Sequence, residues 1–208
     1  MYLIQAHTNI GTMKEELQRI LAQREKRYIN DAGRVPSAVL IPLYQKQGRY
    51  HIVFIRRTET VKDHKGQISL PGGARDVNDR TLLHTAVRES REEIGLRTKD
   101  IEIIGELDDE LTTTSNFVVT PFVAIIPWPY RFKKNKDEVA EIIRVPVEEL
   151  MGKSSVRQGS ETLNDRPIES YTYNYEGKVI WGATARILKK LLDIIGEAKE
   201  NSDKQGRG

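Results

Sequence analysis

The chain has 208 residues and a net charge of +3, from 33 Lys and Arg against 30 Asp and Glu. That length suits one α/β domain with a full core and short extensions, and the scattered positive charges form no basic-aromatic stripe that would suggest nucleic acid. The absence of cysteine excludes disulfides, thiolate metal sites and cysteine nucleophiles, and no apolar run approaches membrane-spanning length, so a cytoplasmic protein without membrane contact is expected.

In chain order, residues 12–28 read as an amphipathic helix. Thr12-x-x-Glu15 has the pattern of a capping box, Leu17, Ile20 and Leu21 form an apolar edge, and Arg24, Lys26 and Arg27 suit the helix C-terminus. Such a helix packs on the domain or on a second copy of the chain, which leaves a homodimer open. Residues 35–44 and 50–55 read as strands of a hairpin, and 56–66 as a charged loop. Residues 67–70 are short and extended, leading to Gly72-Gly73. After a helix ending near Gly95, strands are expected at 101–107, 117–126 and 138–145. A polar loop at 108–116, a break at Pro127-Trp128-Pro129 and a short helix at 147–151 separate or follow them. Residues 152–170 read as a long irregular loop, 171–175 and 178–180 as a hairpin across Glu176-Gly177, and 181–195 as an apolar helix. The expected organisation is an N-terminal helical extension over 1–34, one domain over 35–196 and a disordered polar tail over 197–208. Strands on both sides of one helix, with a second helix to cover the other face, predict a mixed β-sheet between helices.

The most informative stretch is residues 72–96, GGARDVNDRTLLHTAVRESREEIGL. At 100° per residue, Leu82, Leu83, Ala86, Val87 and Ile94 make one apolar stripe, with Glu89 and Glu93 at its margin and Glu92 beside Glu89. A desolvated carboxylate must be paired, hydrogen-bonded or bound to metal, and three of them on neighbouring positions repel one another. The pattern makes sense with divalent cations among the acids. Gly72-Gly73 adds a tight turn, free of side chains, where a backbone carbonyl can approach a metal. Hard oxygen ligands suit Mg²⁺ or Mn²⁺, while the lack of cysteine and the scarcity of histidine argue against zinc.

Arg88-Glu89-x-x-Glu92-Glu93-x-Gly95-Leu96 resembles the second half of the Nudix box, with Gly73 as its leading glycine. The spacing from Gly73 to Arg88 is one residue longer than in the commonest form of that box. The usual mid-box acid falls on Arg80, with Asp79 just before it. A longer loop of the form Gly-Gly-x-x-Asp-x-x-Asp, here with Asp76 and Asp79, is similar to the coenzyme A diphosphatase branch. Upstream, Arg57-Thr58-x3-Lys62-x3-Gly66-x3-Leu70-Pro71-Gly72-Gly73 matches the spacing of that branch's second signature, with Thr58, Lys62 and Leu70 as substitutions.

The resemblance implies an α/β/α sandwich over most of residues 35–195 and the metal-dependent hydrolysis of a diphosphate in a CoA-like nucleotide. It implies Glu89, Glu92 and Glu93 as metal ligands, with the Gly72 carbonyl as a fourth. Arg88 would pair with a box carboxylate and fix its rotamer. A further acid outside the box, serving as ligand or general base, falls on Glu138, on Glu141 or on a glutamate in the 108–110 acid run. Arg57, Lys62, Gly66 and Gly73 are implied on the substrate side. Residues 112–116 and 181–185 resemble branch segments near the pocket. Each also reads as ordinary structure, a polar turn and a helix start.

Overall fold

The computed structural model describes residues 5–60, 65–163 and 165–205. Its elements in chain order are helix α1 (Gln5–Gln23), strands β1 (Val35–Lys46), β2 (Arg49–Arg57), β3 (Ile68–Ser69) and β4 (Gly72–Ala74), and helix α2 (Leu82–Ile94). A 3₁₀ turn (Thr98–Asp100) leads to β5 (Glu102–Glu106), β6 (Glu110–Leu111), β7 (Phe117–Ile125), β8 (Val139–Pro146) and the short helix α3 (Val147–Met151). Strands β9 (Val156–Leu163), β10 (Arg166–Tyr175) and β11 (Lys178–Ile180) precede the last helix, α4 (Gly182–Gln205).

The main sheet has the order β3-β2-β1-β7-β5, with β4 on β1, β6 on β7 and β8 on β2. β1 and β7 run parallel and the other pairs antiparallel, so the sheet is mixed. Both faces of its centre are buried, which is why β1 and β7 read as near-continuous apolar runs. Leu40, Val53, Ile55 and Val139 face α2, where they meet Ala86 and Ile94. Ile41, Leu43, Phe54 and Val145 lie in the opposite core with Leu17, Ile20 and Leu21 of α1 and Leu188, Leu191 and Ile195 of α4. The result is an α/β/α sandwich with a second, three-stranded sheet of order β11-β10-β9 at its side. Among the described residues no helix is long and apolar enough to cross a membrane.

α2 is bounded by its own sequence. Thr81 caps it by accepting the His84 N–H at 3.1 Å. Gly95 closes it in the left-handed region at φ 69°, where an added Cβ would also press on Lys133.

Three expectations need correction. α1 spans Gln5–Gln23, so Thr12 lies inside the helix rather than at its cap, and residues 24–28 are not helical. Arg24 and Arg27 pair with Asp108, and Lys26 with Glu106 and Asp109, so these cations serve tertiary ion pairs rather than a helix end. Much of the expected loop at 152–170 forms β9 and the start of β10. Both have mostly exposed or half-buried faces, so they lack the apolar alternation that marks a strand. The tail expected to be disordered from residue 197 continues α4 to Gln205. Ala198 is fully buried and Asn201 donates to Glu16 of α1 at 2.8 Å, contacts that no local pattern announces. Residues 206–208 lie outside the described residues.

Candidate active site

β4 lies antiparallel to β1, with Val39 opposite Gly72 and Ala38 opposite Gly73. Leu40 N–H donates to the Pro71 carbonyl and Arg75 N–H to the Pro36 carbonyl, which leaves Gly72 and Val39 as a non-hydrogen-bonded pair of that ladder. The Gly72 N–H donates instead to Glu93 Oε2 at 2.9 Å, joining the glycine turn to α2. Any side chain at Gly72 would collide with the Ala38 carbonyl and the Val39 Cα. One at Gly73 would meet the Glu89 carboxyl group at 2.6 Å. The two glycines thus have separate reasons: the first lets two strands approach, the second makes room for a carboxylate.

Glu93 is 1% exposed, and burial pushes its carboxyl up to about 8. The Gly72 N–H opposes that rise, Glu89 adds to it, Arg57 opposes it and Glu138 adds again. Arg57 Nη1 stands 3.6 Å from Glu93 Oε1. Glu89 is half-buried and also raised, first by burial, with the Arg88 pairing opposing and Glu92 and Glu138 adding. Glu92 is exposed and lies 3.2 Å from Arg88 Nη1. Arg88 reaches further, with Nη1 2.7 Å from Glu89, Nη2 3.2 Å from the Ala74 carbonyl and 2.8 Å from Asp79.

Asp79 is the residue that sequence reasoning left without a role. It is buried and accepts hydrogen bonds from the Asp76 N–H, the Thr85 hydroxyl and Arg88. The Arg88 hydrogen bonds hold its carboxyl well below the usual range. The longer loop therefore returns an acid to Arg88 although the register of the box has slipped by one. The signals in the sequence were that Asp79 stands beside the expected position and ends the Gly-Gly-x-x-Asp-x-x-Asp loop.

The three alternatives for the acid outside the box have different surroundings. Glu138 ends the turn before β8, and its charge bears on both Glu89 and Glu93. The segment leading to it is stitched to the end of α2, with Asn135 N–H donating to the Glu93 carbonyl at 2.8 Å and Lys133 N–H to that of Ile94 at 3.0 Å. Glu141 instead stands opposite Arg56 and pairs with it at 2.9 Å, and with Lys178 at 3.7 Å. Glu110 pairs with Arg186 and Lys190, while Asp108 and Asp109 hold the segment after α1. Of the residues expected on the substrate side, Arg57 and Gly73 line a cavity. Gly66 closes the loop by donating its N–H to the Thr58 carbonyl and is not in the cavity wall. Lys62 lies outside the described residues.

The cavity, of about 260 Å³, opens beyond Gly72 and Gly73. Residues 112–115 form one wall and residues 181–184 another, so both segments singled out in the sequence reach it.

Among the described residues, no group of three or more His, Cys, Asp or Glu side chains is arranged to hold a metal ion. The reason is visible: Arg88 holds Glu89 and Glu92, and Glu93 faces the Gly72 amide. The donor set nevertheless fits a hard cation. Its available ligands are oxygens, and the buried Glu93 beside Glu89 and Glu138 is carboxylate crowding that a cation relieves.

Crowded carboxylates over a glycine turn, on one side of an α/β/α sandwich, make a site suited to a hard divalent cation. The model of the NUDIX domain matches residues 34–166, and the chain belongs to the Nudix hydrolases, enzymes that act on diphosphate bonds. It is 32% identical over 159 residues to an uncharacterized Nudix hydrolase NudL of Photorhabdus laumondii, covering 76% of this chain and 84% of that one. It is 31% identical over 189 residues to the NudL of Yersinia enterocolitica, covering 88% and 93%. Among solved structures, a MutT/nudix family protein from Enterococcus faecalis superposes with a TM-score of 0.56 at 14% identity, over 88% of this chain and 69% of that chain. That likeness supports the fold.

Proposed function

We propose that the protein hydrolyses the diphosphate of coenzyme A or an acyl-coenzyme A, releasing adenosine 3′,5′-bisphosphate and (acyl-)4′-phosphopantetheine, with Mg²⁺ or Mn²⁺ as cofactor. The observation that carries the reading is Glu93, buried on α2, raised to about 8, hydrogen-bonded to the Gly72 amide and crowded by Glu89 and Glu138. Such a site favours positive charge among its carboxylates. Glu89, Glu92, Glu93 and the Gly72 carbonyl are the groups that would hold the cation. When bound, it supplies charge neutralisation at the diphosphate oxygens and a lowered pKa for water.

The chain's own residues do the rest. Glu138 reaches the cluster from outside α2 and takes the proton of the attacking water or adds a ligand. Arg88, fixed by Asp79, sets the rotamers of Glu89 and Glu92. Arg57 sits between Glu93 and the cavity, where its guanidinium meets a phosphate oxygen.

The coenzyme A assignment is supported by the spacing of Arg57, Lys62, Gly66 and Leu70-Pro71-Gly72-Gly73, while Thr58, Lys62 and Leu70 depart from the pattern. Those departures keep a second reading in play, another nucleoside diphosphate such as ADP-ribose or a dinucleotide. Incubation with coenzyme A, ADP-ribose and a dinucleotide, each with Mg²⁺ or Mn²⁺, followed by chromatography of the products, tests it. Preferential release of adenosine 3′,5′-bisphosphate from coenzyme A is the expected result. Turnover of the others in its place overturns the substrate assignment. Binding without any product indicates a nucleotide sensor.

A further inference from the structure

Two buried side-chain atoms among the described residues have no hydrogen-bond partner, Arg57 Nε and Ser115 Oγ. Both residues line the cavity that opens beyond Gly72 and Gly73. Unpaired buried polar atoms are rare because each forfeits its bonds to water, so their meeting in one cavity points to a polar ligand.

The charge of the walls says what kind. Among the described lining residues Arg57 is the one formally charged side chain, and it stands at the Gly72 end beside Glu93. Elsewhere the described walls are uncharged: apolar side chains, including Leu70, Phe117 and Ile187, the Gln67 amide, and hydroxyls that include those of residues 112–115. A phosphate moved against those walls would lose its water and find no cation among the described residues. An uncharged chain bearing amides and hydroxyls would keep its hydrogen bonds and bury its methylenes.

We propose that this cavity is the subsite for the uncharged amide-bearing arm of the substrate, with Ser115 Oγ as its hydrogen-bonding group, and that any phosphate beyond the diphosphate stays outside it. The identity of the arm as pantetheine rests on the coenzyme A reading above. The adenosine half of coenzyme A carries its 3′-phosphate with it and is the half that these walls exclude.

The cavity contains its own reporter. Trp181 lines it, is 38% exposed and is one of two tryptophans; the other, Trp128, stacks on Tyr44. In the Trp128→Phe protein, Trp181 emission is followed during titration with pantetheine and, separately, with adenosine 3′,5′-bisphosphate, while coenzyme A cleavage is assayed in parallel. Pantetheine is expected to shift the emission saturably and the bisphosphate to leave it unchanged. Ser115→Ala, with an unchanged melting temperature, is expected to weaken pantetheine binding by roughly 3- to 10-fold. A saturable response to the bisphosphate, or pantetheine binding indifferent to Ser115→Ala, overturns the proposal. If coenzyme A is cleaved while pantetheine leaves Trp181 unchanged, the subsite falls and the substrate reading stands. If pantetheine binds but coenzyme A is not cleaved, the subsite stands and the substrate reading falls.

Discussion

Gly73 lies directly against the carboxyl group of Glu89, so close that a methyl group in place of its hydrogen would come within 2.6 Å of Glu89 Oε1. The obstacle is the end of a flexible side chain, which can swing aside. Gly73→Ala is therefore expected to fold with a loss of about 1 kcal/mol or less, while displacing a carboxylate proposed above to hold the cation. A fall of roughly 100-fold in kcat/KM, about 2.7 kcal/mol, is the expected outcome. Its neighbour should behave in the opposite way. Gly72→Ala drives a methyl into the backbone of Ala38 and Val39, so thermal unfolding, rather than kinetics on folded protein, should register the damage. Equal effects of the two substitutions on both measurements would contradict this division.

Glu93→Gln keeps the shape of the side chain and an oxygen to accept the Gly72 N–H, but removes the carboxylate. The expected result is a native-like melting temperature and a loss of about 10³-fold in turnover, roughly 4 kcal/mol of transition-state stabilisation. Wild-type rates with Mg²⁺ in the folded variant would remove Glu93 from the chemistry.

Asp79→Asn tests the slipped box. The carboxyl group is buried and receives Arg88 through both Nε and Nη2. An amide cannot match that charge, and Arg88 is partly exposed, so the cost to stability is about 2 kcal/mol rather than the larger penalty of a fully buried pair. With its anchor weakened, Arg88 shifts its weight onto Glu89 and Glu92. Metal titration should show a weaker apparent affinity, and Arg80→Asp, which puts an acid at the usual mid-box position, should not rescue it, because Arg88 is anchored one residue earlier.

Asp108 gives a pH dependence whose sign follows from its surroundings. Burial raises its carboxyl, but the Arg27 N–H, the Arg27 guanidinium and Arg24 outweigh that and leave it lowered. A lowered carboxyl stabilises the fold above its unfolded value, about 3.9, and that contribution is lost as the pH falls through the folded value. Since Asp108 anchors the segment after α1, the protection of amides 24–29 against exchange, corrected for the slower intrinsic rate at low pH, should fall from pH 6 to pH 3 relative to the rest of the chain. Asp108→Asn should lose most of that difference.

The sequence was most legible where a local pattern has one physical solution. The period of Leu82, Leu83, Ala86, Val87 and Ile94 implied a core-facing helix, and Gly95 its end; Ala86 and Ile94 are buried and Gly95 closes the helix, while Leu82, Leu83 and Val87 are half-buried. Counting alone placed the box acids on neighbouring positions of the helix, but not the burial that sets Glu93 apart from the exposed Glu92. Choosing among Glu138, Glu141 and Glu110 could not be done that way, because it depends on strand register. Arg56 opposite Glu141 on β8, and Arg186 beside Glu110, are long-range pairings that commit two of the three elsewhere. β9 and β10 escaped for a related reason: a strand with little buried surface has no alternation to read.

Arg186 gives the last test, because it works on the cavity without lining it. Buried on α4, it pairs with Glu110 at 3.0 Å and Glu161 at 3.2 Å, and donates to the Leu111 carbonyl at 2.6 Å. Glu161 in turn accepts from the Thr113 hydroxyl at 3.3 Å, so one guanidinium fixes the start of the wall formed by residues 112–115 from two sides. A lysine keeps the charge but cannot supply three directed donors. Arg186→Lys is therefore expected to raise KM roughly 10-fold and to change kcat by less than about 3-fold, because uniform binding is lost while the carboxylates of α2 stay in place. Arg186→Met, which leaves Glu161 without its cation, should in addition lower the melting temperature. If Arg186→Lys reduced kcat and left KM unchanged, the cavity wall would have no part in holding the substrate, and the coupling would run to the box instead.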